Sequence, residues 1–409
     1  MERTRLDPNG SADGVSVLNV AFTTPPAPLT ESARAVFRRI ILLGRATRPM
    51  LGSLLDFSKP TMSAAILELS ELGLVQPVGT TQGASGRKAT VYGLGREAGY
   101  VIGVDAGATQ VRAVAQTLDG TVLAEIEQTP SAEAVHLNAE TGKAIRTILK
   151  RLRQNTSAHG PLRAVSVAVP VIVSKNRPEL AYRADLDVVR DAIGDFGDAP
   201  VVFENNVNCA TIAELDRGGA QGRRSFAYLQ VGVKLGLGLV HDGRLFRGAN
   251  GAAGEVARLP FPWSETSAPQ RSGLEDYLGS HALMQRVRDD WTDRGEPPQT
   301  ARELFELAAN GSRAARRHVE KHAIDIGRIA ASVVSIFDPG LIVMGGGVGQ
   351  NELLLPWVRD VIAELTWQTE VTTSQLPARG TVLGASQLAV REAVQLLTGT
   401  EHLPIYGEE

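Results

Sequence analysis

Between residues 29 and 97 the apolar positions recur three times at helical spacing and then switch to a strand pattern. Val36, Phe37, Ile40 and Ile41 fall on one side of a helix over residues 33–43, with Thr30 or Ser32 to cap it and Gly44 to stop it. Thr47 caps a second helix with Pro49 in its first turn, and Met50, Leu51, Leu54 and Leu55 supply its apolar residues. After the short turn Asp56-Phe57, Ser58 caps a third helix whose apolar face is Met62, Ala65, Ile66, Leu69 and Leu72. Residues 74–78, 79–88 and 89–94 then read as strand, flexible loop and strand. From Tyr100 the pattern becomes that of an α/β chain. Val101-Ile102-Gly103-Val104-Asp105 is a buried strand, and Asp119-Gly120 is a tight hairpin turn into a strand over 121–126. Helices around 323–337, 353–365 and 385–397 have broad apolar faces that suit either a core or an interface. Three segments result: a mobile tail over 1–28, which holds Pro25-Pro26-Ala27-Pro28 and little periodicity; a winged helical domain over 29–97; and an α/β domain over 98–409.

Composition narrows the class. A chain of 409 residues is too long for one compact core, and 43% hydrophobic with 21% charged residues is the balance of a soluble globular protein. No apolar run reaches the roughly 18 residues that a membrane span requires. Val15–Phe22 is too short and interrupted for a signal peptide, so the cytoplasm is the expected location and a membrane is not an expected partner. The single cysteine, Cys209, excludes an internal disulfide and a cysteine-based zinc cluster, and no metal or other cofactor is expected. The net charge of −3 is split unevenly: residues 1–97 carry eleven Lys and Arg against eight Asp and Glu, a balance of +3, which leaves −6 on the rest.

That asymmetry suits contact with double-stranded DNA through the N-terminal domain alone. The third helix is divided as a helix-turn-helix reader requires. Its apolar face is opposed, near the N-terminal end, by Lys59, Thr61, Ser63 and Ala64, with Ser58 at the cap. Small polar side chains and a lysine there can hydrogen-bond bases or phosphates. Arg87 and Lys88 near the tip of the wing can reach phosphates or a narrow minor groove.

The α/β domain carries three motifs. The first is the turn Asp105-Ala106-Gly107-Ala108-Thr109 between two strands. The second is Phe203-Glu204-Asn205-Asn206-Val207-Asn208. The third is Asp242-Gly243-Arg244-Leu245-Phe246-Arg247-Gly248-Ala249-Asn250-Gly251-Ala252-Ala253-Gly254-Glu255. The first resembles the phosphate loop of the actin-like ATPase and sugar-kinase fold, and the third closely resembles the signature of the ROK family of repressors and kinases. The resemblance spans roughly residues 98–395. With the winged helix in front, it identifies the chain as similar to a ROK-family transcriptional regulator: a winged helix-turn-helix followed by a two-lobed, ribonuclease H-like sugar-kinase domain.

The resemblance assigns roles by position. The sugar-binding Asn matches Asn205, and the catalytic Asp position holds Asn206. The sugar-binding Glu of the Gly-Glu-x-Gly-His motif matches Glu255, and its His position holds Arg258. A further sugar-binding Glu matches Glu275. The zinc loop frequent in the family has no counterpart, because residues 259–272 contain neither Cys nor His. Of the phosphate loops, the first keeps Asp105, Gly107 and Thr109. The second reads Gly232-Val233-Lys234 where the family has Gly-Thr-Gly, which removes a hydroxyl donor and replaces a glycine with lysine. The run Gly345-Gly346-Gly347-Val348-Gly349 suits either an adenosine-facing loop or a tight strand-to-helix turn.

Phosphoryl transfer to a sugar hydroxyl needs an acceptor for the hydroxyl proton, and an amide cannot be one. Asn206 can still hydrogen-bond a hydroxyl. The expected protein is therefore a repressor of carbohydrate-use genes that binds operator DNA as a homodimer or dimer of dimers. A sugar or sugar-phosphate effector would bind in a domain without catalytic residues. The alternative is an active sugar kinase with an accessory DNA-binding domain.

Overall fold

The computed structural model of the chain describes residues 29–82, 88–131, 136–156, 158–174, 183–194, 196–262 and 264–399. The tail over 1–28 and Arg87 lie outside the described residues.

The N-terminal domain is built from α1 (Glu31–Leu43), β1 (Arg45–Thr47), α2 (Arg48–Leu55), α3 (Lys59–Glu71), β2 (Val75–Gln82) and β3 (Lys88–Leu94). Thr30, Thr47 and Ser58 cap the three helices, each accepting a backbone N–H three residues on at 3.3 Å. Val36, Phe37, Ile40, Leu51, Ile66 and Leu69 close one core. Two features depart from the sequence reading. Residues 45–47 form a strand that pairs with β3, so the wing is a three-stranded sheet of order β1-β3-β2, and β2 extends to Gln82. Leu72 caps α3 rather than joining its core face and is 42% exposed; Met50 and Leu54 on α2 are 44% and 47% exposed.

The first lobe of the α/β domain contains β4 (Tyr100–Ala106), β5 (Val111–Thr117), β6 (Val122–Gln128), α4 (Ala139–Thr156), β7 (Leu162–Val169), α5 (Arg183–Ile193) and β8 (Val201–Asn205). Helix α6 (Asn206–Arg217) leads into the second lobe. There the elements are β9 (Phe226–Val231), β10 (Leu235–His241), β11 (Arg244–Leu245), α7 (Gly273–Leu278), α8 (Ser280–Asp289), α9 (Ala301–Ala309), α10 (Arg313–Phe337), β12 (Leu341–Gly345), α11 (Gly346–Gly349), α12 (Leu355–Leu365), β13 (Glu370–Thr373) and α13 (Gly380–Thr398).

The two sheets repeat one topology. Their orders are β6-β5-β4-β7-β8 and β11-β10-β9-β12-β13, and in each the first three strands are antiparallel while the last two run parallel to the central one. Inner strands such as β4 and β10 are buried on both faces, with period-two division. On β4, Ile102 and Val104 join the α4–α5 core, whereas Val101 packs with α13. On β10, Leu235, Leu237 and Leu239 enter the core of the second lobe, and Gly236 and Gly238 lie against Val207 and Thr211 of α6.

Helices α6 and α13 are pressed together between the sheets. A Cβ on Gly384 would overlap the carbonyl of Cys209, so only glycine permits this crossing. The C-terminal half of α13 (Ala389, Val390, Ala393, Val394 and Leu397) shares a hydrophobic cluster with Leu74, Val75 and Ala98, and so joins the winged domain to the body.

Candidate effector site and recognition helix

The β8–α6 junction forms one wall of a cleft between the lobes. Asn205 is the N-cap of α6: its Oδ1 accepts from the backbone N–H of Val207 (2.9 Å) and Asn208 (3.3 Å), and its Nδ2 donates to the carbonyl of Val171 (3.1 Å). The preceding residue, Glu204, is buried. Its carboxylate accepts from the backbone N–H of Asn205 (2.8 Å), from Asn208 Nδ2 (2.9 Å) and from Arg247 Nε (2.7 Å). Arg247 comes from the loop after β11, so this ion pair ties the glycine-rich signature of the second lobe to the junction. Sequence reasoning assigned Glu204 and Arg247 no role. Both stood in the quoted motifs, but nothing local marks two charges distant in sequence as partners.

The opposite wall comes from the second lobe. Glu255 follows Gly254, which takes φ +83 and whose Cβ would overlap the carbonyl of Leu237; the backbone of β10 thereby sets where the Glu255 side chain begins. Arg258, in the short helical turn 256–258, places its Nε 3.6 Å from Glu255. Glu275, in the first turn of α7, accepts the backbone N–H of Leu235 at 3.1 Å. Burial raises the Glu255 carboxyl above the usual range and Glu275 adds to the rise, while Arg258 and Lys234 oppose it.

Asn205, Asn206, Glu255, Arg258 and Glu275, dispersed over 71 positions, all line this one cleft of about 330 Å³. Lys234 lines it too, although the sequence placed it in a phosphate loop. His136, Asp185, Asn208, Gln230 and Ser272 complete the polar lining without having been foreseen. Asp185 accepts the backbone N–H of Leu137 at 3.1 Å and faces His136 Nδ1 at 3.4 Å.

The two phosphate-loop turns differ. In the second, Gly232 packs toward Gly346 and Gly347, Val233 is exposed, and the Gly232 carbonyl accepts the N–H of Ser280 at 2.8 Å. The run 345–349 is the end of β12 and a one-turn helix; a Cβ on Gly345 would overlap the Tyr228 hydroxyl, so close packing requires glycine there. In the first, Asp105 ends β4 and Gly107 and Thr109 form the turn to β5. None of the three lines the cleft. Burial pushes the Asp105 carboxyl up to about 7 against the opposing pull of Arg112. Among the described residues no group of three or more His, Cys, Asp or Glu is arranged to hold a metal ion.

On the winged domain, Lys59, Ser63 and Ala64 are exposed at the N-terminal end of α3, and Lys88 is exposed at the start of β3. The hydroxyls of Ser58 and Thr61 bond one another at 2.8 Å. Ser58 is thus engaged in starting the helix, and Lys59 and Ser63 are the polar side chains left facing solvent.

These elements define a class: a winged helix-turn-helix joined to a duplicated, two-lobed sugar-kinase-like domain with a polar cleft between its lobes. The ROK family model matches residues 101–392, and the chain belongs to the ROK family. It is 24% identical over 373 residues to a xylose repressor of Caldicellulosiruptor bescii, covering 85% of this chain and 92% of that protein. It is 20% identical over 383 residues to the xylose repressor of Bacillus subtilis, covering 89% and 96%. Among solved structures, a ROK family transcriptional regulator described as a homologue of the E. coli MLC protein superposes with a TM-score of 0.69 at 17% identity, over 90% of this chain and 98% of that one. A ROK hexokinase from Thermus thermophilus superposes with a TM-score of 0.56 at 26% identity, over 71% of this chain and 97% of its own. No helix among the described residues is long and apolar enough to cross a membrane.

Proposed function

We propose that the protein is a transcriptional repressor of carbohydrate-use genes. It binds operator DNA through α3 and the wing and responds to a sugar or sugar derivative held between the lobes. The observation that carries this reading is the joining of a winged helical head to a polar interlobe cleft lined by Asn206, an amide where resemblance to the kinases implies a carboxylate. The similarity to proteins named xylose repressors supports it, since those alignments take in 85% or more of this chain whereas the hexokinase superposition takes in 71%. A pentose or related sugar is the first effector class to test.

The protein acts in the cytoplasm as a homodimer or dimer of dimers, the arrangement that lets paired winged helices read two half-sites. It transfers no phosphoryl group: removing a general base lowers the rate by about two to four orders of magnitude. Effector and operator oppose one another reciprocally, each weakening the other's binding by the same factor.

The test is fluorescence anisotropy of the full chain against genomic fragments and random duplex, with and without D-xylose and other sugars. The reading requires a preferred fragment and its release by a sugar. Equal affinity for every duplex under all conditions overturns it. The retained Asp105-x-Gly107-x-Thr109 turn favours the kinase as the second reading. ADP release with a panel of hexoses and pentoses, abolished by Asp105→Ala, would establish that instead.

A further inference from the structure

Three substitutions relative to the ROK sugar-kinase pattern gather in one place. Asn206 stands where the kinases have Asp, Arg258 where they have His, and Lys234 where they have Gly. All three line the same cleft, and each makes it more positive.

The cleft carboxylates already have partners within the protein. Asp185 takes the Leu137 N–H and faces His136, Glu275 takes the Leu235 N–H, and Glu255 is matched by Arg258 at 3.6 Å. Lys234, half-buried in the cleft wall, has no hydrogen bond and no carboxylate within ion-pair distance among the described residues; Glu255, already matched by Arg258, acts on it only from beyond that distance. The Asn206 amide likewise has no partner among the described residues. An anion bound in the cleft would give Lys234 the direct charge-assisted contact that Glu255 does not make.

Resting on the sugar-effector reading above, we infer that the effector is an anionic sugar, a sugar phosphate or a sugar acid, whose negative group is met by Lys234 with Arg258 flanking it. Lys234 is then the residue that decides ligand charge. The second phosphate loop has become part of the effector site: it supplies one fixed cation in place of the glycine backbone that cradles a nucleotide. A neutral sugar such as xylose gives that cation no ion pair, which separates this chain from a receptor for the free pentose.

Titration calorimetry on the full chain tests this with two matched sets: D-xylose, D-xylose 5-phosphate and D-xylonate; and D-glucose, D-glucose 6-phosphate and D-gluconate. In at least one set an anionic member is expected to bind roughly 10-fold or more tighter than its neutral parent, the worth of one charge-assisted hydrogen bond. The phosphate and carboxylate arms distinguish the two sources of charge. Lys234→Met should weaken the anionic members by the larger factor and so cancel the preference, and Lys234→Arg should keep it. Neutral parents binding as well as their anions overturn the charge assignment and leave the sugar-effector reading standing. Failure of every compound to bind removes both. Equal weakening of neutral and charged ligands by Lys234→Met makes Lys234 a structural residue and also overturns the assignment.

Discussion

Two helices begin at the two candidate sites of this protein. At α3 the cap is Ser58, whose hydroxyl accepts the Thr61 N–H, and the next residue, Lys59, stands in solvent. At α6 the cap is Asn205, whose amide is engaged at both ends, and the next residue, Asn206, faces the cleft. In both, the cap sets the frame and its successor is free to meet a ligand. The difference lies behind the cap. Asn205 rests on the buried Glu204, which also holds Asn208 and Arg247, whereas nothing comparable stands behind Ser58. A small-molecule site needs a preorganised wall, because its affinity comes from a few contacts at fixed positions. A DNA-reading surface can leave its lysine mobile, since phosphate attraction acts over several ångströms.

The sharpest way to break this contrast is Glu204→Ala, which strips three donors of their acceptor. It is expected to cost about 2–3 kcal/mol in urea denaturation; a cost no greater than that of Ser58→Ala would mean the α6 junction is no better supported than the α3 cap.

Next in size is Asp105→Asn, at the phosphate turn that lies outside the cleft. A carboxyl raised to about 7 by burial binds its proton in the folded state after the unfolded chain has released it. Its contribution therefore turns unfavourable as pH rises from the ordinary carboxylate range to about 7, and stays so above. The Asn variant should gain on the order of 2 kcal/mol over wild type at pH 8 and little at pH 4, read from denaturation at both. A constant difference across pH would show that the group is not held protonated.

Lys59→Ala should then weaken DNA binding by roughly 10-fold at low salt and reduce the salt slope by about one, with unchanged stability. Ser58→Ala should have the smallest effect, about 1 kcal/mol on the winged domain through loss of the cap. Affinity for DNA measured on the folded fraction should stay near wild type, and a larger loss would make the hydroxyl a reader as well as a cap.

The winged domain was legible because its signals are local. Thr30, Thr47 and Ser58 cap helices by bonds three residues away, and the core faces of α1 and α3 follow from a period of 3.6. Strand β1 was not legible, since a three-residue segment has no periodicity and exists only by pairing with β3. The cleft was half legible. Its five expected residues were found by motif; Lys234, expected in a degenerate phosphate loop, lines the cleft as well, because the β9–β10 turn opens onto it.

By itself, then, the sequence determined the family, the starts of the three N-terminal helices, and the motif residues that line the cleft. Each of these is written in neighbouring residues or in a motif. Only the tertiary structure decided that Glu204 pairs with Arg247, that Asn205 is engaged as a cap, that Asp105 lies outside the cleft lining, and that Lys234 enters it without a direct ion pair. Those outcomes depend on how two duplicated lobes close around α6 and α13, and on contacts between residues tens of positions apart, whose energies no local pattern encodes.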